Sequence, residues 1–335
     1  MRKWNFRHIL KLSLGLPALL ALSACEEGRH QSQSIWLQSP TDREVSAPTG
    51  ELPPADLKED VPALNPVAQE FIDNWCRGTS YLSLEARYSL QILLDLTSTP
   101  ESCEQGALEL SLMEELEIDM TDWELESLQD LWPIGSLSQL KSLKISGNDW
   151  SSLPQSSVAA LFLPLFKLHQ LESLDLSNNN LFSIRGLSRH RPDLRHLNLA
   201  QNRLGLMDPT EMTLDRFYQL ESLDLSDNEM ESLPFIPRSV TELRLAHNLL
   251  SSMESYVGLW SHPSWPLWSN RNQNPSIEFL DLRGQLREKR RVLTPWVTRW
   301  VPLEESRQQE LKASLEGRLP YAHIRIGPSN HRVHP

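Results

Sequence analysis

Apolar residues recur through the middle of the chain in a fixed frame: Leu171, Leu174 and Leu176 are followed by Asn179 and Leu181. The frame returns as Leu194, Leu197, Leu199, Asn202 and Leu204, then as Leu220, Leu223, Leu225, Asn228 and Met230. It returns again as Val240, Leu243, Leu245, Asn248 and Leu250. Upstream, Leu140, Leu143, Ile145, Asn148 and Trp150 fit it, while Met113, Leu116, Ile118, Thr121 and Trp123 form a degenerate first copy. Ile277, Leu280, Leu282 and Gln285 form a degenerate last one. The asparagine-equivalent positions are 27, 31, 23, 26, 20 and 37 residues apart. The alternating Leu-x-Leu pair predicts a short strand with both leucines on one face. The Asn is predicted at a buried turn, where its amide meets backbone groups that the bend leaves unpaired. One copy cannot bury its own leucines, so the copies must stack.

This frame resembles the leucine-rich repeat. The resemblance implies an α/β fold over residues 107–286: a curved solenoid with a parallel sheet on its concave face. Leu128, Leu131, Pro133 and Ile134 ahead of Leu137 and Leu140 are similar to the spacer of bacterial internalin-type repeats. Leu233-Pro234 and Pro237 ahead of Val240, with the 20-residue step, resemble instead the short repeats of secreted bacterial effectors. Residues 67–106 are expected to form a helical cap, similar to the cysteine-bearing caps of internalin-type proteins. Within it Ser83 to Leu96 reads as a helix, with Ser83 as N-cap and Glu85 in the first turn. Residues 287–335 no longer repeat and are expected to be a C-terminal cap and irregular tail. A weakly amphipathic helix is expected from Leu303 to Leu315, Trp296 and Trp300 packing on the last repeat, and a frayed end.

The N-terminus has a different pattern. Arg2, Lys3, Arg7 and Lys11 precede an 11-residue apolar stretch from Leu12 to Leu22, the layout of an export signal. It ends in Leu22-Ser23-Ala24-Cys25, which resembles the lipobox of bacterial lipoproteins. The resemblance implies a signal peptide over 1–24 and acylation of Cys25, and two or more chains would anchor the protein stably in a membrane. Glu26 after the cysteine, in place of Asp, favours the outer membrane over the inner. Residues 25–66, rich in Pro and polar groups and without periodicity, read as a disordered tether. Some 40 residues of such chain span roughly 35 Å. The chain has 3 Cys, so Cys76 and Cys103 remain once Cys25 is lipidated, and an oxidising compartment would join them as a disulfide.

Composition narrows the function. The net charge is −12, which argues against a nucleic-acid partner. Its distribution is uneven: +4 over residues 1–25, −7 over 26–99, −14 over 100–286 and +5 over 287–335. The basic run Arg287, Lys289, Arg290 and Arg291 reads as a solvated face, with contact to anionic lipid headgroups as the alternative. No phosphate-cradling glycine motif, zinc helix or nucleophile elbow occurs, so no cofactor, metal or catalytic residue is expected. A cysteine-dependent ligase placed after the repeats fails, because no cysteine follows Cys103.

What remains is a surface. The strand positions between the leucines read Glu117, Lys144, Asp175, Asn198, Asp224, Arg244 and Asp281. A neighbouring row reads Glu115, Ser142, Ser173, His196, Ser222, Glu242 and Phe279, with His247 and Arg283 adding positive character at the C-terminal end. These are expected to bind a protein or peptide, or else to be solvated residues filling unavoidable positions. The long final step carries Trp260, Trp265 and Trp268, a contact loop or a lid over the open end of the leucine core. The expected function is a non-enzymatic recognition module on a membrane anchor, in adhesion or envelope scaffolding, facing the periplasm or the cell surface. The alternatives are a mainly structural envelope lipoprotein and, more remotely, an enzyme with its site in the tail.

Overall fold

A computed structural model describes residues 65–121, 130–190, 193–206, 212, 214, 216–259, 276–293 and 296–327. The expectations for the signal peptide, Cys25, nearly all of the tether, Trp123, Trp260, Trp265, Trp268 and the last eight residues lie outside these.

Three helices open the fold: α1 (Pro66–Phe71), α2 (Leu84–Asp95) and α3 (Cys103–Leu110). Each begins on a polar N-cap that takes a free backbone N–H: Asn65 accepts from Val67, Ser83 from Ala86 and Ser102 from Gln105. A π-turn over Ile72–Cys76 continues α1, and Cys76 is joined to Cys103 across 27 positions of sequence. Phe71, Leu93 and Leu110 from these helices enter the same apolar core as Ile118, Leu137 and Leu143 of the repeats. Gln139 Nε2 ties the junction further, donating to the carbonyls of Leu110 at 2.8 Å and Met113 at 2.9 Å. The cap therefore closes the first leucine layer, which would otherwise face water.

The repeats supply seven parallel strands: β1 (Glu115–Asp119), β2 (Ser142–Ser146), β3 (Ser173–Asp175), β4 (His196–Asn198), β5 (Ser222–Asp224), β6 (Glu242–Arg244) and β7 (Phe279–Asp281). Short helices occupy the convex arcs between some of them, α4 (Trp132–Gly135), α5 (Gln155–Leu161) and α6 (Leu187–His190). Each strand pairs with its sequence neighbour in one register, so Leu116, Leu143, Leu174, Leu197, Leu223, Leu243 and Leu280 stand in a single buried row. The fold is an α/β leucine-rich repeat solenoid.

The tail departs from expectation. Residues 286–302 form an antiparallel hairpin, β8 (Leu286–Leu293) with β9 (Trp296–Pro302), and a helix follows, α7 (Glu305–Arg318). Then β10 (His323–Arg325) pairs in parallel with β7 and becomes the eighth strand of the main sheet. Ile324 takes the place of the row leucine, and Leu315 and Leu319 from α7 and its end are buried beside it. The region expected to be a C-terminal cap and irregular tail thus holds a helix close to the expected one, and its residues 323–325 add one more copy of the strand.

The asparagines bind the turns of adjacent copies together. Asn202 Oδ1 accepts from the backbone N–H of Asn179 at 3.2 Å and of Leu181 at 2.8 Å. Its Nδ2 donates to the carbonyls of Leu176 at 2.9 Å and Leu199 at 3.0 Å. Asn248 does the same for Asn228, Met230, Leu225 and Leu245. Gln285, one methylene longer, ends the ladder by accepting from Leu250 N–H and donating to the Leu245 carbonyl. The residue before each ladder amide is left-handed: Gly147, Asn178, Gln201, Asp227, His247 and Gly284. At Gly147 a side chain would also strike the Thr121 backbone nitrogen, at 2.3 Å from an added Cβ.

Candidate recognition surface on the concave sheet

The leucines point inward, so the residues between them point out to solvent. The pairing register sets Glu117, Lys144, Asp175, Asn198, Asp224, Arg244 and Asp281 side by side, one per strand, and β10 adds Arg325. One strand position back, Glu115, Ser142, Ser173, His196, Ser222, Glu242 and Phe279 make the second row, completed by His323. Neighbouring strands lie about 4.8 Å apart. Sixteen side chains of mixed charge are thereby arrayed on one rigid sheet.

These side chains are not equivalent. Lys144 Nζ meets Glu117 Oε1 at 2.5 Å, and the bond from Glu117 raises the Lys144 pKa by favouring its charged form. Asn198 Nδ2 donates to Asp175 Oδ2 at 2.9 Å. Arg244 is paired with Glu242 of its own strand, and Ser222 Oγ donates to the same carboxylate at 3.2 Å. Asp281 is buried and gripped by Arg283 through Nε at 2.9 Å and Nη2 at 2.6 Å. Burial pushes the Asp281 carboxyl up, but the Arg283 bonds outweigh it and the net direction is down.

Asp175, Asn198, Asp224 and Asp281 also have a local duty. Each Oδ1 accepts the backbone N–H two residues on, from Ser177 at 2.8 Å, Ala200 at 3.0 Å, Ser226 at 2.9 Å and Arg283 at 3.1 Å. These bonds turn the chain out of the strand. Asp224 is half-buried, as are Asp175 and Asn198, and desolvation raises its pKa despite the Ser226 bonds and nearby Arg244. The spacing Asp-x-Ser after two strands was the available signal for this role, and the expected binding row overlooked it.

His247 stands apart from the row. It lies in the turn after β6 at φ 56, with Nδ1 2.9 Å from Asp227 Oδ1 of the preceding turn. Beside Arg244 and Arg283, the C-terminal end of the sheet gains His323 and Arg325, which the sequence left in the tail. Arg325 Cζ sits 5.1 Å from the Phe279 ring centroid, and the His323 ring stacks on Phe279 at 6.1 Å between centroids and 26° between planes. Among the described residues no cluster of His, Cys, Asp and Glu could hold a metal ion.

A parallel sheet of short strands, an amide ladder at the turns and a polar concave face define a repeat scaffold that offers an extended surface. Comparison with known families matches a leucine-rich repeat to residues 170–189, the copy around β3. Among solved structures, the chain is similar to an internalin from Listeria monocytogenes, with 16% identity and a TM-score of 0.40. The match covers 73% of this chain and 55% of that one, so this chain corresponds to little more than half the length of the internalin. Curated proteins give no match.

Proposed function

We propose that this protein is a non-enzymatic recognition module, binding a protein or peptide ligand through its concave sheet while a lipid on Cys25 holds it at the cell envelope. The observation that carries the reading is the row running from Glu117 to Arg325, one polar side chain per strand in unbroken register, with Asp281 its buried member. A partner crossing the strands would meet a fixed series of charges without any ordering of loops, which lowers the entropic cost of association. The lipobox, Glu26 and the tether add an outer-membrane anchor in adhesion or envelope scaffolding, with the folded part held clear of the bilayer.

The test is photocrosslinking in intact cells, with the reactive group at Lys144 on the concave sheet and, as control, at the exposed Phe166 on a convex arc. A discrete adduct at Lys144 alone supports the reading, and the same products at both positions reject it. Cys25→Ser, assayed by lipid labelling and membrane fractionation, tests the anchor separately. A second reading, a mainly structural lipoprotein, is favoured by the turn-forming duty of Asp175, Asn198, Asp224 and Asp281. Those side chains have a reason to be present without any ligand.

A further inference from the structure

The two ends of the concave sheet differ in charge. At the β1–β2 end stand Glu114, Glu115, Glu117 and Asp119 against Lys141 and Lys144, and both lysines are engaged, with Glu114 at 2.8 Å and Glu117 at 2.5 Å. At the β6–β10 end Arg244, Arg283 and Arg325 balance Glu242, Glu278 and Asp281, with His323 beside them. There Arg244 is tied to Glu242 and Arg283 to Asp281. Arg325 is different. Among the described residues its side chain makes no ion pair or hydrogen bond; its charge helps to lower the pKa of Asp281 on the next strand, and its close neighbour is the face of Phe279. A guanidinium held against a ring keeps its N–H donors for a planar oxyanion, and the ring limits the side-chain freedom lost on binding. His323, stacked on the same ring and exposed, sets a second nitrogen-bearing ring on that face.

We infer that the Phe279–His323–Arg325 corner is a carboxylate-reading subsite, and that the ligand of the concave sheet is a protein segment with acidic side chains over β7 and β10. This rests on the recognition reading and adds the chemistry and polarity of the partner. The acidic β1–β2 end would repel such side chains, so they are confined to the β7–β10 end of the sheet. The deciding contact comes from a strand placed after the last recognisable copy, where a cap would otherwise only shield leucines.

The probe is a fluorescent decapeptide of glutamate, with a lysine decapeptide as counterpart, titrated into the whole protein while backbone amide resonances are followed. The glutamate peptide should shift Phe279, Asp281, His323 and Arg325 first. Arg325→Gln should weaken it about fivefold, while Arg318→Gln on α7 leaves it unchanged. Equal weakening by both variants, or shifts confined to the basic strand β8, overturns the inference. If shifts map to β1–β5 and Arg325→Gln is silent, this subsite fails while recognition by the concave sheet stands. An unchanged thermal midpoint for Arg325→Gln keeps a folding defect from being mistaken for lost binding.

Discussion

Asn202 stands one copy below Asn179 and holds its turn, accepting from Asn179 N–H and Leu181 N–H through one oxygen. The same amide donates to two leucine carbonyls, so a single side chain closes backbone bonds in two copies. Asn202→Asp keeps the acceptor, loses the donor and sets a charge against carbonyl oxygens in a buried turn. We expect a loss of at least about 3 kcal/mol, larger than for Asn202→Ser, in urea unfolding. Equal stability of Asn and Asp at this position would show that the donor contributes nothing.

Asp224 tests the opposite case. Asp224→Asn retains an oxygen for Ser226 N–H and removes a carboxylate that burial disfavours; Asn198 already serves this way one strand earlier. Because the folded-state pKa is raised, the ionised form costs stability at neutral pH. That cost shrinks as pH falls through the raised value and is gone below the ordinary value of 3.8. The variant should therefore have a higher urea midpoint than wild type at pH 7, with the two converging in acid. A gap that widens on acidification would contradict the assignment.

Binding and stability are expected to separate at the β1–β2 end. Glu117 and Lys144 form an exposed pair, worth at most about 1 kcal/mol. Swapping them, Glu117→Lys with Lys144→Glu, should leave the thermal midpoint within a few degrees while altering which partner is captured by a reactive group placed at the neighbouring Ser173 instead of position 144. Charge reversal at Asp175 or Asp224 is a poorer probe, since it also removes a turn-forming acceptor. A crosslinking pattern indifferent to the swap would favour the structural reading.

Removing the cap disulfide should be costly without unfolding the repeats. Cys103→Ser frees a loop 27 residues in separation, and the chain-entropy model gives a loss of about 3–4 kcal/mol. Hydrogen exchange should show α1 and α3 opening first, with β3 to β5 still protected. Uniform loss across the sheet would mean that the cap nucleates the whole stack.

Much of this was legible because the repeat writes its structure into spacing. The three buried rows and the amide ladder follow from Leu171, Leu174, Leu176 and Asn179 and their echoes. The eighth strand escaped for a physical reason. In register, Tyr321 falls where other copies carry the first leucine, yet Tyr321 is 93% exposed, and Leu319 fills the core from the end of α7 instead. With that leucine displaced and no ladder amide downstream, the frame is invisible in the letters. The turn-forming duty of Asp175 and Asp224 was readable from the serine two residues on, but charge on an outward position reads first as a surface. The Phe279–Arg325 contact could not be read at all, since it joins residues 46 apart across the hairpin and helix.

The copies differ in length from 20 to 37 residues between ladder positions, yet every strand pairs with the next in the same register. That variation leaves the strand register untouched. The inner face consequently behaves as a ruler, with graduations set by hydrogen-bond spacing and indifferent to how much chain lies between them. An insertion in an arc lengthens the gene without moving a mark. A ligand's contacts are therefore addressed by strand number, and charges can be revised one graduation at a time while the rest of the scale stays in place.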